Sequence, residues 1–133
     1  MIGVIGAGAF GTALAVSLAQ AGRDVRLWTR DPAHAAEISR TRRNDARLVH
    51  VTLSDKITPT SRMSELAGAT AILITVPMQS LGAILHGHAA FLDGSALVAC
   101  CKGVDLHSLL GPTGLITKAC PNSPCAILTG PSF

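Results

Sequence analysis

The chain has 133 residues, 48% of them hydrophobic and 14% charged, and a formal charge of +3 from 11 basic and 8 acidic side chains. That length suits one domain able to bury about two-thirds of its unfolded surface, and the apolar surplus suits a parallel sheet covered on both faces. No nucleic-acid partner is expected: the one basic cluster, Arg40-Thr41-Arg42-Arg43, has no aromatic side chains interleaved for base stacking and reads as a solvated helix end.

In chain order, Ile2–Ile5 reads as a strand. Phe10, Ala13, Leu14, Ser17, Leu18 and Ala21 then recur at helical spacing until Gly22 closes the helix. Between strand and helix lies Gly6-Ala7-Gly8-Ala9-Phe10-Gly11, the G-x-G-x-x-G pattern in the strand-turn-helix context that gives it meaning. Gly6 permits the tight turn, Gly8 lets backbone approach a pyrophosphate with no Cβ in the way, and Gly11 lets the helix pack on the strand. The helix presents free N–H groups and its positive dipole end to the phosphates. No Lys or Arg precedes Arg23, and glycines interrupt the opening apolar run. That run is therefore expected to be neither a signal peptide nor a membrane span, and the protein is expected to be cytoplasmic.

Residues 24–29 form the second strand, with Val25, Leu27 and Trp28 inward. Asp31 is expected as N-cap and Pro32 at the first position of a helix running to about Arg42. From 43 to 62 the pattern weakens to a short β-like piece around Ile57-Thr58. Residues 64–67 read as a helical turn ended by Gly68. The apolar run 71–76, stopped by Pro77, belongs inside a parallel sheet. A helix from Ser80 to about Leu92, a fifth strand over 96–101, a helix near 114–120 and a last strand over 125–129 complete the alternation. The predicted architecture is a single α/β domain, a doubly wound, mostly parallel sheet of the Rossmann NAD(P)-binding type, with its ligand crevice outside the carboxyl ends of the strands.

The residues just past each strand are therefore the candidates. After the second strand, Arg30 can pair with a 2′-phosphate, whereas an acidic residue there would accept from a ribose 2′-hydroxyl. Arg30 favours NADP, with NAD also accepted, while Asp31 serves two readings, ribose acceptor or helix cap. Pro77 stiffens the chain where the cofactor's middle passes. Lys102 places a cation where a substrate oxygen or phosphate would meet the nicotinamide; Gly130 allows close approach and Ser132 offers a hydroxyl. Cys100, Cys101, Cys120 and Cys125 form no C-x-x-C pair and read as buried or half-buried thiols. His86 and His88, at i and i+2 of a helix, face apart, so no metal site is expected.

These pieces in order, Gly6-Ala7-Gly8-Ala9-Phe10-Gly11, Leu27-Trp28-Thr29-Arg30-Asp31, Ile57-Thr58-Pro59, Val76-Pro77, Cys101-Lys102-Gly103 and Gly130-Pro131-Ser132-Phe133, resemble the N-terminal half of bacterial NAD(P)-dependent glycerol-3-phosphate dehydrogenase. The resemblance implies interconversion of sn-glycerol 3-phosphate and dihydroxyacetone phosphate for phospholipid synthesis. It also implies cofactor contacts by Ala9, Phe10, Arg30 and Lys102, and substrate contacts by Lys102, Gly130 and Ser132. The family commonly has serine at position 9, tryptophan at position 10, and a tyrosine-leucine-proline-glycine segment where this chain has Arg47-Leu48-Val49-His50. The family's helical second domain, with its catalytic lysine, phosphate-binding arginine and much of a homodimer interface, is expected to lie beyond this chain. Residues 1–133 are thus expected to bind cofactor with little or no turnover. The alternatives are another two-domain reductase, acting on 6-phosphogluconate, ketopantoate or prephenate, and a non-enzymatic nucleotide-sensing module.

Overall fold

The computed structural model describes residues 1–130. Strands β1 (Ile2–Ile5), β2 (Val25–Trp28), β5 (Ile57–Thr60), β6 (Ala71–Ile74), β7 (Ala96–Ala99) and β8 (Cys125–Ile127) form one sheet in the order β5-β2-β1-β6-β7-β8. Every pairing in it is parallel. The register sets Ile5 of β1 opposite Trp28 of β2 and Ile74 of β6, so the two strands flanking β1 end level with it.

Alternation along the strands divides the core in two. Val4, Val25, Leu27 and Ile57 point to one face, where they meet Ala15 and Ala19 of α1 (Ala9–Gln20) and Ile38 of α2 (Pro32–Thr41). Ile5, Trp28, Ile72, Ile74 and Leu97 point to the other, against Leu81, Leu85 and Leu92 of α3 (Met78–Leu92) and Ile116 of α4 (Pro112–Ala119). A strand buried on both faces has no polar side to show, which is why 71–76 reads as a continuous apolar run.

Several boundaries move. β6 ends at Ile74 and α3 begins at Met78, two residues before Ser80, because Pro77 supplies the N-cap conformation, φ −56° and ψ 145°. α4 starts at Pro112, whose fixed φ suits the first helical position after Gly111. β7 stops at Ala99, so Cys100 and Cys101 lie beyond the strand, and β8 stops at Ile127. The helical turn expected over 64–67 is a 3₁₀ turn one residue earlier, Met63–Leu66.

The larger correction is in the stretch without clear periodicity. Arg43–Asn44 (β3) and Leu48–Thr52 (β4) form an antiparallel hairpin apart from the main sheet. Nor is the basic cluster merely solvated. Arg42, at φ 55°, caps α2 and its guanidinium donates to the carbonyls of Leu53, Ser54 and Ile57, while Arg43 pairs with Asp45 at 2.8 Å.

Candidate functional site

At the switch point, where the chain leaves β1 and the sheet order reverses, the three motif glycines separate by what a side chain would meet. Gly6 has φ +110°, and a Cβ there would lie 2.8 Å from Thr75 Oγ1. At Gly11 a Cβ would lie 1.9 Å from the Gly6 carbonyl oxygen. The fold itself requires both glycines. At Gly8, by contrast, φ is −76° and a Cβ would meet nothing within 4 Å. The chain's own packing does not require glycine there, and the space beside that backbone is open.

α1 starts at this open space. Gly8 is its N-cap, with no side chain to satisfy the first-turn N–H groups and no acidic residue in that turn. Donors and positive dipole end are both left for an anion. Ala9 and Phe10 occupy the first two helical positions, and Phe10 is 54% exposed beside the opening.

Two polar side chains brace the turn, and neither is among the residues picked from the sequence. Thr75, just past β6, shares its hydroxyl between the carbonyls of Ile5 at 2.8 Å and Gly6 at 3.0 Å. Asn44 of β3 is buried, and its Nδ2 donates to the Ala7 carbonyl at 3.0 Å and to Thr12 Oγ1 at 2.8 Å. Thr75 was findable as the one polar residue inside the apolar run 71–76. Asn44 carried no such signal, because the hairpin that places it shows no periodicity.

Parallel pairing carries the other candidates to the same edge. Arg30 follows β2 and is exposed; among the described residues no hydrogen bond or ion pair engages its guanidinium. Asp31 caps α2, its Oδ1 accepting from the Ala33 N–H at 2.9 Å, as the cap reading expects. Pro77 is exposed after β6, Lys102 is exposed after β7 with Gly103 beside it at φ +109°, and Gly130 is exposed after β8. Ser132 lies outside the described residues.

All four cysteines are free thiols; burial pushes Cys100, Cys101, Cys120 and Cys125 above the ordinary thiol range. Among the described residues no three His, Cys, Asp or Glu side chains are grouped to hold a metal, and no helix is long and apolar enough to cross a membrane.

Comparison with known proteins agrees with this geometry. The family described as NAD-dependent glycerol-3-phosphate dehydrogenase N-terminus matches residues 1–133. A relative from Cereibacter sphaeroides, named glycerol-3-phosphate dehydrogenase [NAD(P)+], is 52% identical over all of this chain and 39% of its own length. One of the same name from Ruegeria is 47% identical over 99% of this chain and 41% of its own. The chain thus spans about two-fifths of the relatives it matches. The crystal structure of glycerol-3-phosphate dehydrogenase from Coxiella burnetii superposes with a TM-score of 0.90 at 28% identity, over 99% of this chain and 41% of that one. The Saccharomyces cerevisiae enzyme, at 21% identity and TM-score 0.84, shares the fold. The chain belongs to the family of NAD-dependent glycerol-3-phosphate dehydrogenase N-terminal domains.

Proposed function

We propose that this chain is the cofactor-binding part of an NAD(P)-dependent glycerol-3-phosphate dehydrogenase. The observation that carries the reading is the cradle at Gly8, where a helix N-terminus without a side-chain cap opens onto space that a Cβ would fill. That donor set fits the pyrophosphate of NADP or NAD. Arg30 is free to meet a 2′-phosphate, while Asp31 is used as the helix cap, so the reading favours NADP with NAD also accepted.

When bound, the nicotinamide supplies the hydride acceptor or donor that interconverts sn-glycerol 3-phosphate and dihydroxyacetone phosphate. The chain's own residues bind and orient. The glycine turn holds the pyrophosphate, Pro77 borders the cofactor's middle, and Ala9 and Phe10 at the start of α1 are further cofactor contacts. Lys102 places a cation at the substrate end, with Gly130 and Ser132 as further substrate contacts. Proton removal from the substrate hydroxyl is assigned to a group beyond residues 1–133, so these residues bind cofactor and turn over little. The same reading places the protein in the cytoplasm, in glycerophospholipid synthesis, as a homodimer when full-length.

Calorimetric titration with NADPH and NADH, repeated on Arg30→Ala, tests the reading. Expected are tighter binding of NADPH and its collapse to the NADH level in the variant. Absence of binding by either nucleotide would overturn the cradle, and equal affinities unchanged by the substitution would remove Arg30 from the site.

A further inference from the structure

We propose that Asn44 is the positioning residue of the dinucleotide cradle, and that through His34 it ties the glycine turn to the β2–α2 turn at the adenosine end; this rests on the reading that the site takes NADP or NAD. Hydrogen-bond chemistry orients the Asn44 amide. The Ala7 carbonyl can only accept, so the amide nitrogen of Asn44 faces it, and the second N–H goes to Thr12 Oγ1. The amide oxygen is then left for His34 Nε2, 3.0 Å away, which must carry the ring proton. The other ring nitrogen, Nδ1, lies within hydrogen-bond distance of the Thr29 hydroxyl at 3.2 Å.

The relay therefore runs from Thr29, the residue before Arg30, to Ala7, between the first two motif glycines. Its members Asn44, Thr12 and Thr29 are 3%, 1% and 8% exposed. Buried amides keep such places only when all their bonds are made, and every Asn44 polar group has a partner here.

Fixing the Ala7 carbonyl also aims the next donor. Described peptide bonds are all trans, and a trans peptide sets C=O and the following N–H antiparallel. With the Ala7 oxygen held on the buried amide, the Gly8 N–H points away from it. Asn44 thus removes a repelling oxygen from the phosphates and presents a donor instead. This gives the hairpin a task that its packing does not, since no residue of β4 is fully buried.

Three variants, Asn44→Ala, His34→Gln and His34→Leu, are compared with the unaltered chain, well below its melting temperature. The measurements are calorimetry with NADPH and amide hydrogen exchange without nucleotide. Losing two hydrogen bonds to the turn predicts NADPH binding weakened about tenfold to a hundredfold in Asn44→Ala. Exchange is expected to speed up at the Gly6 and Thr12 amides, which bond to Trp28 and Gly8 oxygens, and to stay unchanged in β6 and β7. Glutamine at 34 retains a donor for the Asn44 oxygen and is expected to stay within about threefold of wild type, whereas His34→Leu follows Asn44→Ala. Folded Asn44→Ala that binds NADPH as wild type does, or exchange that rises equally throughout the sheet, would overturn the proposal. If the unaltered chain binds no nucleotide, the cofactor reading fails, and the exchange pattern still decides whether Asn44 holds the turn.

Discussion

Substituting Gly8 by alanine separates what the ligand demands from what the fold demands. The backbone at Gly8, φ −76° and ψ −174°, is open to any residue, and the added Cβ meets nothing within 4 Å. Alanine is a poorer N-cap than glycine by about 0.5 kcal/mol, and the loss of glycine's freedom in the unfolded chain returns about the same. Thermal unfolding of Gly8→Ala should therefore match wild type to within about 1 kcal/mol. Binding should not. A methyl group placed where a pyrophosphate must close on the backbone acts as overpacking worth about 1–3 kcal/mol, or roughly a fivefold to 150-fold loss of affinity for NADPH. Gly11→Ala inverts the pattern. Its Cβ would lie 1.9 Å from a backbone oxygen that no rotamer change relieves, and at least about 3 kcal/mol of stability should go. Melting curves and NADPH calorimetry on the two variants decide the matter. Gly8→Ala losing as much stability as Gly11→Ala, or keeping wild-type affinity, would refute the assignment of Gly8 to the ligand.

Asp31→Ala should lower stability by about 1 kcal/mol through loss of the α2 cap while leaving the ratio of NADPH to NADH affinity unchanged, and a shifted ratio would put its carboxylate in the nucleotide site. Lys102→Ala, at an exposed position, should change the unfolding free energy by less than about 0.5 kcal/mol and weaken NADPH binding about threefold to tenfold; unaltered affinity would remove Lys102 from the cofactor contacts and leave it only the substrate role. The cysteines predict a stability decline in alkali. Below about pH 8 their thiols are protonated whether the chain is folded or not, and they contribute no slope. Above about pH 8.5 the unfolded chain loses those protons first, because burial raises the folded values, so melting temperature should fall as pH rises. In the Cys101→Ala, Cys120→Ala double variant that fall should be shallower, and an identical slope would show that the buried thiols do not set it.

Most of the sheet was legible because β1 and β6 are short apolar runs closed by a nearby glycine or proline, and because helical spacing between strands identifies crossovers. Parallel strands with helical crossovers leave one edge for the carboxyl ends, so Gly8, Arg30, Pro77 and Lys102 could be placed on it before any coordinate was known. The segment 43–62 gave no such reading. Its hairpin buries little, and side chains that alternate neither with period 2 nor with 3.6 say nothing about where they point. What the residues by themselves determined is the glycine turn, the alternating parallel architecture of a doubly wound domain, and the role of Asp31 and Pro32 in starting α2. Only tertiary structure decided that Gly6 and Gly11 serve the fold while Gly8 faces open space, that Arg42 holds a loop, and that Asn44 grips the turn from 37 residues away. A hydrogen bond of that sequence separation depends on how α2 and the hairpin pack against β1, and no local pattern encodes it.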